Sequence, residues 1–306
     1  VILKMNKVNN NLYFYENYFR SLNNLLTFKN LPQSIIFSGQ GGLGKKTFLL
    51  HFFAFHLLNI SEKEVYLKNF IIKDQEILKK LLNNEYPNFK IVEKKEKNTS
   101  IQIDQIRELI NFCSYEASFS SPRFILISNI EDLNSNATNS LLKLLEEPPK
   151  NTFFFLIRNS HAKIYETILS RCHKINIKMN KKISDELLAK LLSDFNLSSS
   201  ATLDHFDAYD TPGMIIKKII YIQENNLVDM SSEEVVRFCY EDYKKNKDLN
   251  ALNYGNQIAK KLFLDNYNNN YSKYKKLYSL FEKRSKELKD FNSSIDQTYE
   301  IVKRLS

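Results

Sequence analysis

Gly39, Gly44 and Lys45 stand at the spacing Gly-x-x-x-x-Gly-Lys inside the segment GQGGLGKKT. A glycine-rich turn between a strand and a helix directs backbone N–H groups at phosphate, and its lysine reaches the outer phosphates. The apolar residues 34–38 precede the turn, and an apolar helical segment over residues 48–58 follows it. This arrangement predicts a phosphate loop for a nucleotide.

The residue after Lys45 should be Ser or Thr, whose hydroxyl holds Mg²⁺, but it is Lys46. Thr47 comes one residue late, and one residue along a helix is a rotation of about 100°. An ammonium group beside the expected metal position also opposes a divalent cation. We therefore expect the loop to lack the magnesium ligand of an active ATPase.

The strand predicted over residues 123–128 should end in a metal-binding aspartate and a catalytic glutamate. Ser128 and Asn129 stand there instead, and neither is a carboxylate. Glu131 and Asp132 lie past the predicted strand end, so we expect them to be poorly placed. These losses together predict that the chain does not hydrolyse ATP, although weak ATP or ADP binding at the glycines and Lys45 stays open.

Apolar runs that alternate with helical segments indicate a parallel sheet with helices on both faces, an α/β doubly wound fold. The five predicted strands are residues 34–38, 88–92, 123–128, 152–157 and 173–177. Ile103, Ile106, Ile110 and Cys113 recur at helical spacing between two of them. A further helix over the leucines of residues 141–145 must end at residues 148–149, because proline supplies no backbone donor. After about residue 178 the pattern is helical only.

Composition restricts the class of protein. Forty-four Lys and Arg against 35 Asp and Glu give a net charge of +9, which favours proximity to DNA, although genome bias would give the same excess. Interrupted apolar runs predict no membrane span, and we expect a cytoplasmic protein. Cys113, Cys172 and Cys239 form no Cys-x-x-Cys pair, so we expect buried free thiols without a disulfide framework or a metal site.

Three segments together resemble the clamp-loader branch of the AAA+ P-loop ATPases, and within it the delta' subunits of bacterial DNA polymerase III. They are LPQSIIFSGQGGLGKKT, IQIDQIRELINFCS and FILISNIEDLNSNATNSLLKLLEEPPKNTFFFLIRNSHAKIYETILSRC. The combination of LLKLLEEPP with SRC is more specific than a phosphate loop alone. The resemblance implies an AAA+ domain over residues 1–177, a small helical lid domain over 178–226 and an all-α collar domain over 227–306.

In clamp loaders the arginine of the Ser-Arg-Cys motif reaches into the ATP site of the adjacent subunit. The resemblance places this role on Arg171, between Ser170 and Cys172. The alternative is that Arg171 only pairs with a carboxylate near a strand start. Asn159 falls at the position of the first phosphate sensor, where a structural asparagine is equally compatible, and Met214 replaces the arginine of the second sensor.

The resemblance also implies partners: the gamma/tau and delta subunits, the sliding clamp, and primer-template DNA through the complex. It implies no required cofactor. Many relatives carry a four-cysteine zinc module after the phosphate loop, but no cysteine precedes Cys113 here, so zinc is not expected. Two alternatives stay open: an ATP-hydrolysing AAA+ motor that uses Glu131 or Asp132 in a shifted geometry, and a DNA-binding protein of another AAA+ type.

Overall fold

The structure, a computed structural model, describes residues 9–95, 100–114, 122–159, 165–197, 210–266, 271–291 and 295–304. The chain divides into two compact units. One consists of Ile2–Ala189 with Thr211–Gly213, and the other chiefly of Lys190–Asp210 and Met214–Ser306. The division into AAA+, lid and collar domains at residues 178 and 227 stays a prediction.

The strands of the first unit form one parallel sheet in the order β2-β3-β4-β1-β5. Their bounds are β1 Ser34–Gly39, β2 Phe89–Val92, β3 Arg123–Ile127, β4 Thr152–Asn159 and β5 His173–Asn176. The helices before and between these strands are α1 Glu16–Thr27, α2 Lys45–Leu57, α3 Ile60–Asn69, α4 Gln75–Leu82, α5 Ile103–Ser114, α6 Ser135–Glu146 and α7 Glu166–Leu169. The predicted five-stranded doubly wound sheet is confirmed.

Both faces of the sheet are covered, because successive residues of its central strands enter different cores. Ile35 and Phe37 of β1 belong to one apolar cluster with α1 and α2, whereas Ile36 belongs to a second cluster with α5 and α6. This is the period-two alternation of a strand. All residues of β1 and β3 are buried, as expected for the middle of a parallel sheet.

The fifth strand differs from its prediction as an apolar strand. Among the described strands, β5 pairs with β1 alone, and His173, Lys174 and Asn176 are exposed. It is an edge strand, and polar side chains are tolerated there because only one neighbour covers it.

Helix α2 carries the phosphate loop at its start and is buried on nearly every face, with nine buried residues. Such all-round apolarity is typical of a helix in the middle of a domain. Helix α6 begins with Asn134 as its N-cap, whose side chain accepts from the Ala137 N–H (2.8 Å). It ends at Glu146, ahead of the two prolines, as predicted.

Beyond β5 the described residues are helical: α8 Lys181–Asp194, α9 Pro212–Glu224, α10 Ser232–Asn246, α11 Leu249–Asn266, α12 Tyr271–Phe291 and α13 Ile295–Lys303. In the second unit, α10 and α11 pack closely at Gly255, where a Cβ would lie 2.9 Å from Cys239 Cβ. Of the described helices, none is both long and apolar enough to cross a membrane.

Candidate functional site

The phosphate loop connects β1 to α2 and depends on three glycines. Gly42 and Gly44 have φ angles of 77° and 84°, in the left-handed region that glycine adopts without strain. A Cβ on Gly39 would lie 2.7 Å from the carbonyl oxygen of Ile177. The turn and the close approach of the chain after β5 therefore require glycine here.

The loop offers unused backbone donors. No hydrogen bond between described residues uses the N–H groups of residues 41–46, and such donors at a helix start suit phosphate oxygens. Lys45 Nζ donates to the carbonyl oxygens of Gly39 (2.8 Å) and Gln40 (2.7 Å). Burial lowers the pKa of Lys45 to about 8, and the carboxylate of Glu131 partly offsets this. A phosphate would have to draw Lys45 away from both carbonyls.

Lys46 follows Lys45, where the sequence pattern predicts the magnesium-binding hydroxyl of an active loop. Its Nζ lies 2.6 Å from Oε2 of Glu93, just after β2. Gln105 holds the backbone of that segment by donating to the Glu93 carbonyl oxygen (2.8 Å). Thr47 is half-buried one residue further along α2. The ammonium group is thus tied to a carboxylate beside the loop and does not enter it.

The two positions after β3 carry no carboxylate. Ser128 is buried, and its Oγ has no hydrogen-bond partner among the described residues. Asn129 is exposed, with a left-handed φ of 57°. Burial raises the pKa of Asp132, whereas Lys94 and a hydrogen bond with the Asn129 side chain lower it. Asp132 therefore faces Asn129 and Lys94.

Glu131 lies closer to the loop than the sequence indicated. The 3₁₀ turn Ile130–Asp132 follows β3, and Glu131 Oε1 accepts from the Asn159 N–H (3.2 Å). Asn159 pairs with Gly39 in the sheet register. Burial raises the pKa of Glu131, and Lys45 is among the groups that lower it. Its Oε2 is buried without a partner among described residues, so one carboxylate does lie beside the candidate nucleotide site.

The segment Thr211–Gly213 is hydrogen-bonded to the phosphate loop. Thr211 Oγ1 donates to the Gly41 carbonyl oxygen (2.7 Å), and the Gly213 N–H donates to the Gly42 carbonyl oxygen (3.0 Å). A Cβ on Gly213 would lie 2.4 Å from that second oxygen. Neither contact could be predicted from local sequence patterns, because each joins residues far apart in the chain. The next residue, Met214, is half-buried and belongs to the other unit.

Arg171 follows α7 and is held by residues of its own chain. Its Nε donates to Oε1 of Glu146 (2.9 Å), and its Nη2 donates to the same oxygen. Its Nη1 donates to the Thr167 carbonyl oxygen (2.8 Å) and to Ser170 Oγ (3.3 Å). The Arg171 side chain is 32% exposed and that of Glu146 is 48% exposed. A carboxylate partner is the alternative that the sequence left open, and a trans role stays a proposal.

The cysteines are free thiols. Cys113 and Cys239 are buried, as expected, whereas Cys172 is only partly buried. Burial raises the pKa of Cys172 to about 11, so this side chain stays a neutral thiol beside Arg171. Within the described ranges, no group of three or more His, Cys, Asp or Glu residues is arranged to hold a metal ion.

A parallel sheet in this strand order, with a glycine-rich phosphate loop between its inner strand β1 and a buried helix, defines a P-loop domain of the AAA+ type. A model of the family described as DNA polymerase III, delta subunit, matches residues 15–181, more than half of the chain. The chain therefore belongs to this family of clamp-loader-like subunits.

Individual relatives match over shorter segments. DNA polymerase III subunit delta' of Pseudomonas aeruginosa is 36% identical over 87 residues, 28% of this chain and 26% of that protein. Subunit gamma of Buchnera aphidicola from Acyrthosiphon pisum is 28% identical over 128 residues, 42% and 32% of the two chains. The chain thus spans about a quarter to a third of these relatives.

Among solved structures, the similar ones include a DNA polymerase III gamma subunit-related protein of Thermotoga maritima. It is 16% identical, with a TM-score of 0.47, over 93% of this chain and 98% of that one.

Proposed function

We propose that this chain is a non-hydrolysing, delta'-like subunit of a DNA polymerase III clamp loader, which donates Arg171 to the ATP site of a neighbouring subunit. The proposal is supported chiefly by the difference between two cationic side chains of one domain, Lys46 and Arg171. The magnesium-ligand position of its own loop holds an ammonium group paired with Glu93 at 2.6 Å. The Arg171 guanidinium, in contrast, stays about one-third exposed.

Hydrolysis at the chain's own site lacks the groups that would orient Mg²⁺. Lys46 replaces the hydroxyl, and Ser128 replaces the aspartate at the end of β3. Phosphoryl transfer depends on metal positioning and charge stabilisation rather than on covalent chemistry by the protein. A site without these ligands therefore gives little acceleration, even where the loop still binds phosphate.

Arginine suits a trans role because its planar guanidinium stays charged and can bind two phosphate oxygens at once. Donation requires only exposure and a supporting scaffold, not an intact nucleotide site. The partners we propose are gamma/tau and delta subunits, the sliding clamp and primer-template DNA within the complex, in the cytoplasm. The net charge of +9 suits contacts with DNA phosphates inside such an assembly.

A second candidate function is ATP hydrolysis by this chain with Glu131 as the water-activating group. The observation that favours it is the buried, unpartnered Oε2 of Glu131, on a carboxylate bonded to the Asn159 N–H. It remains the weaker candidate because Glu131 does not replace the missing metal ligands. Mg²⁺-dependent turnover by the isolated chain that disappears in Glu131→Gln would establish it.

The test of the first proposal measures ATP turnover by the motor subunits reconstituted with this chain, clamp and DNA. Arg171→Ala should slow the one site that it faces by roughly 10³-fold or more, so the complex loses that site's share of turnover while still assembling. Arg107→Ala is the matched control, because Arg107 pairs with Asp104 on an exposed helix face. Unchanged turnover in the assembled Arg171→Ala complex would refute the proposal.

A further inference from the structure

The guanidinium of Arg171 has little left to offer a phosphate in this arrangement. It has five N–H groups, which form two edges suited to bidentate binding, Nε with Nη2 and Nη1 with Nη2. Oε1 of Glu146 accepts from both nitrogens of the first edge. Nη1 of the second edge donates to Thr167 O and Ser170 Oγ. Neither edge is therefore free as a pair.

Glu146 also changes the charge that an incoming ligand meets. Its carboxylate is 48% exposed, so a phosphoryl group that approaches Arg171 also approaches a negative charge, and the two repel. An exposed ion pair is weak, however, because water screens it. A triphosphate carries more charge than one carboxylate and can displace Glu146 from the guanidinium.

The scaffold fixes this contact on both sides. Leu144 and Leu145, just before Glu146, lie in the same buried cluster as Ile168 and Leu169, just before Arg171. The prolines after Glu147 end α6, so the backbone that carries Glu146 is confined. The pair consequently forms between two packed elements and not between mobile loops.

We propose that Glu146 is a latch: it holds Arg171 withdrawn in the free subunit and releases it to the triphosphate of an adjacent subunit. This regulation rests on the proposed trans role of Arg171. Glu146 acts through Arg171 and does not touch the nucleotide. Its effect is to keep hydrolysis low until a neighbour's triphosphate is correctly seated.

The test uses the reconstituted complex without clamp or DNA, where hydrolysis should be restrained. Glu146→Gln keeps the shape and removes the charge, and it should raise ATP turnover about two- to five-fold, the factor that an exposed ion pair supplies. Glu147→Gln is the matched control, because Glu147 is the exposed next residue and lies outside the Arg171 contacts. Adding Arg171→Ala to Glu146→Gln should abolish the gain.

A second measurement monitors the Arg171–Glu146 ion pair directly and does not depend on ATP turnover. In the free chain, the Arg171 Nε–H should exchange slowly with solvent by ¹⁵N NMR, and faster in Glu146→Gln but not in Glu147→Gln. Equal exchange in wild type and Glu146→Gln would overturn the latch, because the pair would not restrain the arginine.

The outcomes separate the latch from the function on which it rests. If Arg171→Ala lowers turnover but Glu146→Gln lowers it too, or leaves it unchanged, the trans arginine stands and the latch is wrong. If Arg171→Ala has no effect on the assembled complex, the trans role itself fails and the latch fails with it. A gain in Glu146→Gln that persists without Arg171 also overturns the latch.

Discussion

The phosphate loop and the Arg171 contact are two polar sites of one domain, and they are held in opposite ways. Lys45 is 5% exposed and bonded to loop carbonyls, and Thr211 donates a further hydrogen bond to the loop. Arg171 is 32% exposed and held by a surface carboxylate. The side chains of Lys45 and Thr211 are thus bonded within the folded framework, whereas we expect the exposed Arg171 side chain to exchange its partner at small cost in stability.

The difference follows from burial. A buried donor or acceptor that loses its partner costs more than an exposed one, because water cannot replace the bond. Substitutions in the phosphate loop contacts should therefore lower the stability of the folded chain. Substitutions of Arg171 should instead alter the activity of the proposed complex.

The largest expected effect is the acid sensitivity of the framework beneath the loop. Burial lowers the pKa of His51 and of His56, both on α2, to about 4. Between pH 6.5 and pH 4 the unfolded chain binds protons at these residues and the native chain does not. Stability is thus retained above pH 6.5 and falls as the pH drops towards 4, by about 3 kcal/mol for each histidine.

Urea unfolding at several pH values between 7.5 and 4 measures this loss. His51→Gln should flatten the profile, whereas His173→Gln should not, because His173 is exposed on the edge strand. Burial raises the pKa of Glu131 and Asp132, and these groups act in the opposite direction. The comparison of the two histidine variants removes their contribution, and identical profiles would contradict the prediction.

The next effect concerns the contact of Gly213 with the phosphate loop. Gly213→Ala places a Cβ 2.4 Å from the Gly42 carbonyl oxygen. Because that oxygen belongs to the backbone, the loop backbone must shift to accommodate the methyl group. We expect a loss of about 1–3 kcal/mol in the free energy of unfolding, together with a change in nucleotide binding.

Gly255→Ala is the matched control for that variant. Its Cβ meets Cys239 and Tyr240 at 2.9 Å in the helical unit, so it should lower stability and leave nucleotide binding unchanged. The same change in nucleotide affinity in both variants would show that the loop responds to global stability and not to its own contact.

Local patterns predicted much of this architecture. Strands β1 to β4, the turn between β1 and α2, and the end of α6 before its prolines each depend on residues close in sequence, and these predicted elements are confirmed. Nucleotide binding at the loop glycines stays a prediction. The edge position of β5 could not be predicted, because it depends on which strands pair. From its sequence alone, a short segment of mixed polarity is compatible with either an inner or an edge strand.

The site contacts escaped prediction because they join distant residues. Lys46 meets Glu93 across 47 positions, Thr211 meets Gly41 across 170, and Arg171 meets Glu146 across 25. The sequence did contain one indication of the contact with Glu146, because Glu146 lies in LLKLLEEPP and Arg171 in SRC, the two motifs that carry the resemblance. Opposite charges in two motifs of one domain are a reason to test for a direct pair.

A smaller effect is expected at the exposed pair. In the isolated chain, the double-mutant cycle of Glu146→Gln and Arg171→Ala should give a coupling of about 1 kcal/mol or less by thermal unfolding. Weak coupling is what an exchangeable arginine requires. A coupling of several kcal/mol would make the pair part of the framework and erase the contrast with the loop.

The smallest expected effect is the response of the chain's own site to magnesium. We expect Lys46 and Ser128 to stand where an active site carries its metal ligands. ATP titrations of the isolated chain should then coincide in Mg²⁺ and in EDTA. Lys46→Thr with Ser128→Asp restores a hydroxyl and a carboxylate and should separate the two curves. Lys46→Gln is the control, since it removes the charge without supplying a hydroxyl. Tighter binding with Mg²⁺ in the wild type would mean that Glu131 or another group holds the cation, and it would favour a chain that hydrolyses its own nucleotide.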